Sequence, residues 1–182
     1  MRALKILGRL VRVGMLGGLV LAGRAAGAEE LNDKTVGWLT EHAFGMLPDR
    51  FTTAEQKVIK VDRAKPDEYL IPVDAAREVI KIAYNSARAQ ICHMMDKQSD
   101  NYQALVKHEQ DAKKWSDKQL LYIRVLHTFV VQLSVGTIKI TQMGDNQKVE
   151  VVPTTEALNK VKPCNDDEKK SLTEKIDAYI KG

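Results

Sequence analysis

The architecture of this chain is set by residues 116–136, which read SDKQLLYIRVLHTFVVQLSVG. Ser116 and Gln119 have the spacing of a capping box, which predicts that a helix begins here. Apolar residues then cover most of the circumference of the helix, and its one polar stripe consists of Arg124, Thr128 and Gln132, spaced by four. A helix of this kind needs neighbours on several sides. We therefore expect it to be the central helix, with a narrow exposed or hydrogen-bonded edge.

Apolar residues at three- and four-residue spacing predict four further helices, which brings the expected number to about five. Polar caps and prolines give their approximate ends. In chain order, the four helices are expected to begin near Asn32 or Asp33, Pro72 or Asp74, Ser99 or Asp100, and Asn165. The first three of them are expected to end near Pro48, Met94 and Trp115, respectively.

After Gly136 the apolar period changes from that of a helix to that of a strand. Ile138 and Ile140, and later Val149 and Val151, flank a turn at Gly144-Asp145-Asn146, which predicts a small β-hairpin. An isolated hairpin is only marginally stable, so we expect it to lie on the helices. Pairing with the alternating run Val58–Val61 is one way to widen it. That run belongs to the otherwise irregular connection Asp49–Pro72, which is long enough to hold a functional loop.

Residues 1–28 have the three parts of a cleavable secretory signal peptide. Several basic residues and no acidic one precede an uncharged stretch of about 11 residues, far short of the roughly 20 that a membrane-spanning helix needs. The segment ends in Ala26-Gly27-Ala28, a pattern that signal peptidase accepts, so we expect cleavage between Ala28 and Glu29. An uncleaved N-terminal anchor is the alternative, because Arg24 directly follows the apolar stretch. Membrane contact is otherwise expected only during export.

The remaining chain, residues 29–182, has a length that suits one mostly helical domain. Its two cysteines, Cys92 and Cys164, are expected to form a disulfide, because an exported protein folds in an oxidising compartment. The bridge would close a loop of roughly 70 residues and contribute about 4 kcal/mol. The predicted fold is therefore mostly α, with about five helices around a central apolar helix, a small β-hairpin and one disulfide that pins the last helix.

The charge of the whole chain does not describe the exported part. Five of the 28 Lys and Arg residues and none of the 24 acids lie in residues 1–28, which leaves 23 basic and 24 acidic side chains, a formal net charge of −1. A near-neutral chain lacks the basic field of a nucleic-acid-binding protein. Aromatic residues are only 5% of the sequence, so stacking platforms for bases or sugars are scarce. We expect no nucleic-acid partner.

Candidate metal and thiol chemistry centres on Cys92, His93 and Asp96. A metal site needs a third strong ligand that the local sequence does not offer, so His93 is better interpreted as a helix-end histidine. A bridged Cys92 is not a nucleophile. The haem-attachment motif C-x-x-C-H is absent because Ala89 takes the place of its first cysteine. We assign no cofactor, no metal ligand and no catalytic residue.

Several other side chains are open to a functional or a purely structural interpretation. Acids along the first helix and the long connection would suit a glycan hydrolase, but their spacing does not mark a pair. His127, near Arg124 and Gln132, is more simply a hydrogen-bonded histidine at the edge of the core. The tryptophans are more simply core lids than partner anchors, and a basic helix face is more simply solvated than an anion site. The acids are Glu41, Asp49, Asp62 and Glu68, the tryptophans Trp38 and Trp115, and the basic face Arg77, Lys81 and Arg88.

For function, the first hypothesis is an exported, periplasmic or secreted, non-enzymatic accessory protein that binds another protein or an envelope component. It rests on the lack of catalytic motifs and cofactor fingerprints and on the near-neutral charge. The alternative is a periplasmic protein that binds a small molecule or a metal through the connection Asp49–Pro72 and the helix ends near His93. An envelope hydrolase built on loop carboxylates is the third hypothesis. An open apolar groove would favour the first, and a closed pocket with converging histidines and acids the others.

Overall fold

A computed structural model of the chain describes residues 31–53, 55–143, 148–154 and 164–182. Within these ranges the chain forms five α-helices and two antiparallel two-stranded ribbons, and the predicted mostly α fold is confirmed. The expected signal peptide, its cleavage site and the hairpin turn at residues 144–146 lie outside the described residues. The helices are α1 (Asp33–Gly45), α2 (Val73–Ile91), α3 (Met95–Asp111), α4 (Asp117–Val135) and α5 (Asp166–Lys181).

Reciprocal capping boxes begin two of the helices, α4 and α5, at the starts that the sequence predicts. The Ser116 hydroxyl accepts the Gln119 amide at 3.3 Å, and the Gln119 side chain accepts the Ser116 amide at 3.1 Å. Asn165 and Glu168 form the same reciprocal pair at the start of α5, at 2.8 and 3.0 Å. Gly136, with φ 73°, ends α4 in the left-handed conformation that glycine adopts without strain. Local hydrogen bonds therefore fix the ends of these elements.

The junction between α2 and α3 differs from the expectation. His93 adopts φ 59°, so that the amides of His93 and Met94 bond back to carbonyls of the last turn of α2, at 3.1 and 2.8 Å. This compact end uses few residues, and α3 begins at Met95, ahead of the expected start at Ser99. At the other end Lys113, also left-handed at φ 51°, stops the helix before the expected boundary. The predicted α3 was therefore displaced towards the C-terminus.

Helices α2 and α4 form the centre of the fold, in contact with each other and with α1 and α3. The apolar side of α4 is buried, including Leu126 and Phe129, which confirms the prediction of a central apolar helix. Tyr122 is also buried and donates its hydroxyl to the carbonyl of Thr40 in α1, at 3.0 Å. No helix within the described ranges is long and apolar enough to cross a membrane.

Each β-ribbon pairs strands that are close in sequence. The run near Val58 pairs with a strand just before it and not with the later hairpin, so the pairing considered from the sequence is wrong. The Thr53 amide donates to the Lys57 carbonyl at 2.9 Å, and Gln56 turns the chain at φ 63°. Closing this short loop costs less chain entropy than a distant pairing. The strands are β1 (Arg50–Thr52), β2 (Val58–Lys60), β3 (Ile138–Met143) and β4 (Lys148–Pro153).

The predicted disulfide is present and ties α5 to the end of α2. Cys92 caps the C-terminus of α2, Cys164 directly precedes α5, and their Cα atoms lie 5.2 Å apart. Cys92 packs in a small apolar cluster with Leu172 and Ile176 of α5. The bridge is compatible with an oxidising compartment.

Candidate binding face on helix α4

The polar stripe of α4 lies in an open surface with four depressions. Arg124 and Gln132 are partly buried and Thr128 is exposed. Arg124 borders three depressions of about 270, 260 and 290 Å³, and Thr128 and Gln132 connect one of these to a fourth of about 490 Å³. Because neighbouring depressions share residues, they form a continuous surface. We call the stripe and the four depressions the α4 face.

The largest depression, at the C-terminal end of α4, is lined by uncharged polar side chains. Three glutamines, Gln90, Gln98 and Gln132, border it together with Tyr102 and Thr128. All three glutamine side chains are partly buried, and none of their amides hydrogen-bonds to any part of the chain that the structure describes. We call this depression the amide cleft. Its chemistry suits a neutral ligand that both donates and accepts hydrogen bonds.

A buried polar network supports the inner wall of the amide cleft. His127 is 2% exposed, and its Nε2 lies 3.0 Å from the Ser86 hydroxyl. The Asn101 amide donates to that hydroxyl at 2.8 Å and to the Ile82 carbonyl at 2.9 Å. The Tyr102 ring lies 4.9 Å from the His127 ring. One network thus links α2, α3 and α4 behind the cleft.

Burial determines the chemistry of this network. Burial lowers the pKa of His127 to about 4, so its ring is neutral near pH 7. Ser86 is completely buried, and no carboxylate within the described ranges hydrogen-bonds to His127 to orient it as a general base. This arrangement supports the interpretation of His127 as a hydrogen-bonded histidine at the edge of the core.

Arg124 differs from three other arginines of the described residues. Arg63, Arg77 and Arg88 each pair with a carboxylate, whereas Arg124 makes no ion pair or hydrogen bond with any described residue. Its neighbours on the α4 face include the partly buried Val125. The guanidinium is therefore available to an external group.

The other histidine considered from the sequence forms no metal site with the described residues. His93 and Asp96 are both exposed, and Cys92 is held in the disulfide. Across the described ranges, no group of three or more His, Cys, Asp or Glu side chains could hold a metal ion.

The candidate hydrolase carboxylates are exposed and engaged with other groups. Asp49 pairs with Arg63 at 2.8 Å, and the Asp62 carboxylate accepts the Ala64 amide at 3.0 Å. Glu68 accepts a hydrogen bond from Lys118, which lowers the pKa of Glu68. A general acid needs the opposite shift. The fourth acid, Glu41, is exposed on α1.

The basic face of α2 is occupied by internal ion pairs. Arg77 donates to the Asp33 carboxylate and, at 3.3 Å, to the Leu31 carbonyl. Lys81 pairs with a neighbour on the same helix, at 2.8 Å. Arg88 reaches Glu168 of α5 at 3.1 Å. We call these three basic residues with their partners the paired face, and these contacts disfavour its interpretation as an anion site.

The two tryptophans have different surroundings. Trp38 is 40% exposed and stacks on His42 with ring centroids 4.3 Å apart, so its interpretation as a core lid is wrong. Trp115 packs against the core and donates its indole N–H to Glu109. Neither residue lines a depression of the α4 face.

Comparisons with protein-family models, with curated proteins and with solved structures found no match to this chain.

Sequence reasoning found the stripe on α4, which includes Gln132, but not Gln90 and Gln98, which complete the amide cleft. Gln90, Gln98 and Gln132 lie on three different stretches of the chain, and no local pattern indicates that they converge. Ser86 and Asn101 interrupt the apolar positions of their helices, and that interruption was the available signal.

Proposed function

We propose that this chain is an exported, non-enzymatic accessory protein that binds another protein or an envelope component through the α4 face. The observation that carries the proposal is the set of partly buried polar side chains on that face, Arg124 and the three glutamines, that lack partners within the described ranges. Because these side chains are partly exposed, their donors and acceptors are left to solvent and are available to a ligand from outside the chain.

The extent of the face favours a macromolecular ligand. Its depressions follow α4, whose 19 residues span about 28 Å at the rise of an α-helix. They are open and connected, whereas a typical small-molecule site encloses most of its ligand. A protein segment is long enough to cover such a surface.

Export is supported by two independent features. Residues 1–28 have the pattern of a cleavable signal peptide, and the described residues carry a disulfide. We propose that the mature chain begins at Glu29 and acts in the periplasm or outside the cell.

Binding of a small molecule is the second candidate function, and the amide cleft favours it. The cleft has a volume of about 490 Å³, and none of the described residues that line it carries a charge near pH 7, so the ligand would be neutral and polar.

Intact mass of the protein recovered from envelope and medium tests the export part of the proposal. We expect a chain that begins at Glu29, two hydrogens lighter than its reduced form, and resistant to alkylation before reduction. A full-length precursor with two reactive thiols would contradict export, cleavage and bridging together.

Formaldehyde crosslinking in the producing cells tests the binding part. The tagged chain should give a discrete adduct with one protein or envelope polymer, and a tag exported without the chain is the control. Absence of any specific adduct, together with saturable binding of a small neutral solute by the purified protein, would favour the second candidate function.

A further inference from the structure

The centre of the α4 face combines an unpaired cation with apolar surroundings. Arg124 lies where three depressions meet. Leu121 borders the first depression, Met46 and Val125 the second, and Val106 the third. Met46 is 39% exposed, which is high for a large apolar side chain. Apolar side chains therefore border the guanidinium in all three depressions.

The charged neighbours of Arg124 do not neutralise it. Asp117 lies in the first turn of α4, where the N-terminal end of the helix stabilises its charge, and it forms no ion pair with Arg124. Lys107, which borders the third depression, pairs with Asp111 at 2.9 Å. Of the two cations that border these depressions within the described ranges, Arg124 alone has no carboxylate partner.

We infer that Arg124 binds a carboxylate on an amphipathic segment of a partner protein, whose apolar side chains fill the depressions on both sides. The inference deepens the proposed function, on which it rests, by naming its contact and the chemistry of its partner. A guanidinium binds a carboxylate through two parallel hydrogen bonds, which fixes orientation as well as charge. An apolar segment without an acid would desolvate Arg124 and leave it unpaired, which is unfavourable. The face therefore selects a segment that carries an acid.

A photo-reactive phenylalanine analogue at Thr128, one turn after Arg124, tests the inference in the producing cells. The full disulfide-bonded protein is irradiated, and the crosslinked partner peptide is sequenced by mass spectrometry. We expect a protein adduct whose peptide has apolar residues and an Asp, a Glu or a terminal carboxylate within about one helical turn of the crosslink. A peptide without an acid, or an adduct with the mass of a lipid or glycan, would overturn the inference.

Variants of Arg124 provide the second arm. Arg124→Glu should lower the crosslinking yield at least about tenfold, because like charges then face each other. Arg124→Lys should retain part of the yield, since it keeps the charge but loses the two-pronged geometry. Lys175→Glu, the same reversal on an exposed α5 residue, should leave the yield unchanged. Circular dichroism and thermal unfolding must match the parent protein in all three.

The two proposals fail in different ways. An adduct from Thr128 that Arg124→Glu leaves unchanged would refute the carboxylate contact while the binding function stands. Specific formaldehyde adducts, together with no photo-crosslinked adduct from the Thr128 position, would place the interface elsewhere and refute the inference. The absence of adducts by either chemistry would count against the proposed function itself.

Discussion

The polar side chains of the paired face and of the α4 face differ in whether they have partners within the chain. On the paired face, Arg77 and Arg88 each donate to a carboxylate from another helix. On the α4 face, Arg124 and the side-chain amides of the cleft have no partner within the described parts of the chain. Polar groups that bond to one another hold the helices together, whereas polar groups without partners are available for recognition. Stability and binding are therefore expected to depend on different residues.

The largest expected effect on stability comes from removal of the disulfide. Replacement of Cys92 and Cys164 by alanine opens a loop of 72 residues, which should lower the free energy of unfolding by about 4 kcal/mol in the chain-entropy treatment. Denaturant titration of the parent and the double variant measures the difference. Reduction of the parent protein should give a similar loss. A change below about 1 kcal/mol would show that the ion pairs and apolar contacts hold α5 without the bridge.

The second effect concerns the buried histidine behind the amide cleft. Burial lowers the pKa of His127 from the ordinary histidine value of 6.5 to about 4 in the folded chain. Between these values only the unfolded chain binds the proton, so the stability falls as the pH drops from about 6.5 to about 4, by about 3 kcal/mol in total. Below pH 4 this group causes no further loss.

Urea titrations at several pH values measure the slope, and His127→Gln is the control that removes the titrating ring. The variant should lose this part of the pH dependence whatever its own stability. An identical slope in both proteins would contradict the assignment to His127.

The third prediction isolates the hydroxyl that connects the network. Ser86→Ala removes the hydroxyl that contacts both His127 and Asn101. His127 and Asn101 are then each left with a buried polar atom that lacks a hydrogen-bond partner. The free energy of unfolding is expected to fall by about 1–3 kcal/mol. Ser171→Ala, an exposed serine of α5, is the matched control and should change stability by less than about 0.5 kcal/mol. Equal effects of the two substitutions would show that the network contributes no stability.

The smallest expected effect is the difference in stability between two variants, each with one arginine replaced, one from each face. Arg77→Met removes contacts to Asp33 and to the Leu31 carbonyl and should cost about 1 kcal/mol. Arg124→Met removes no hydrogen bond to a described residue and should change stability by less than about 0.5 kcal/mol. Thermal unfolding of both variants measures the difference. A larger loss at Arg124 would contradict the view that this side chain has no role inside the fold.

Local signals predicted most of the fold. The capping box at Ser116, the apolar circumference of α4 and the pair Cys92–Cys164 each depend on neighbouring residues or on compartment chemistry. The α2–α3 junction was misplaced because His93 takes a left-handed conformation. That conformation is usually adopted by glycine, so a histidine at this position gives no sign of it in the sequence. The partner of β2 was missed because a three-residue strand carries little periodicity.

The binding face was only half predictable. The spacing of Arg124, Thr128 and Gln132 along one helix is visible in the sequence itself. The convergence of Gln90 and Gln98 on Gln132 depends on how α2 and α3 dock against α4, which no single stretch encodes. The lack of a partner for Arg124 among the described residues is likewise a property of the packed molecule.

A crosslinking scan of both faces tests the central claim most directly. Photo-reactive residues at Gln103 and Thr128 report on the α4 face, Lys81 reports on the paired face, and Lys175 reports on an exposed site of α5. With the disulfide intact in the native envelope, the account predicts one common partner adduct from Gln103 and Thr128 and none from the two lysine positions. Adducts from Lys81 or Lys175 alone would contradict it.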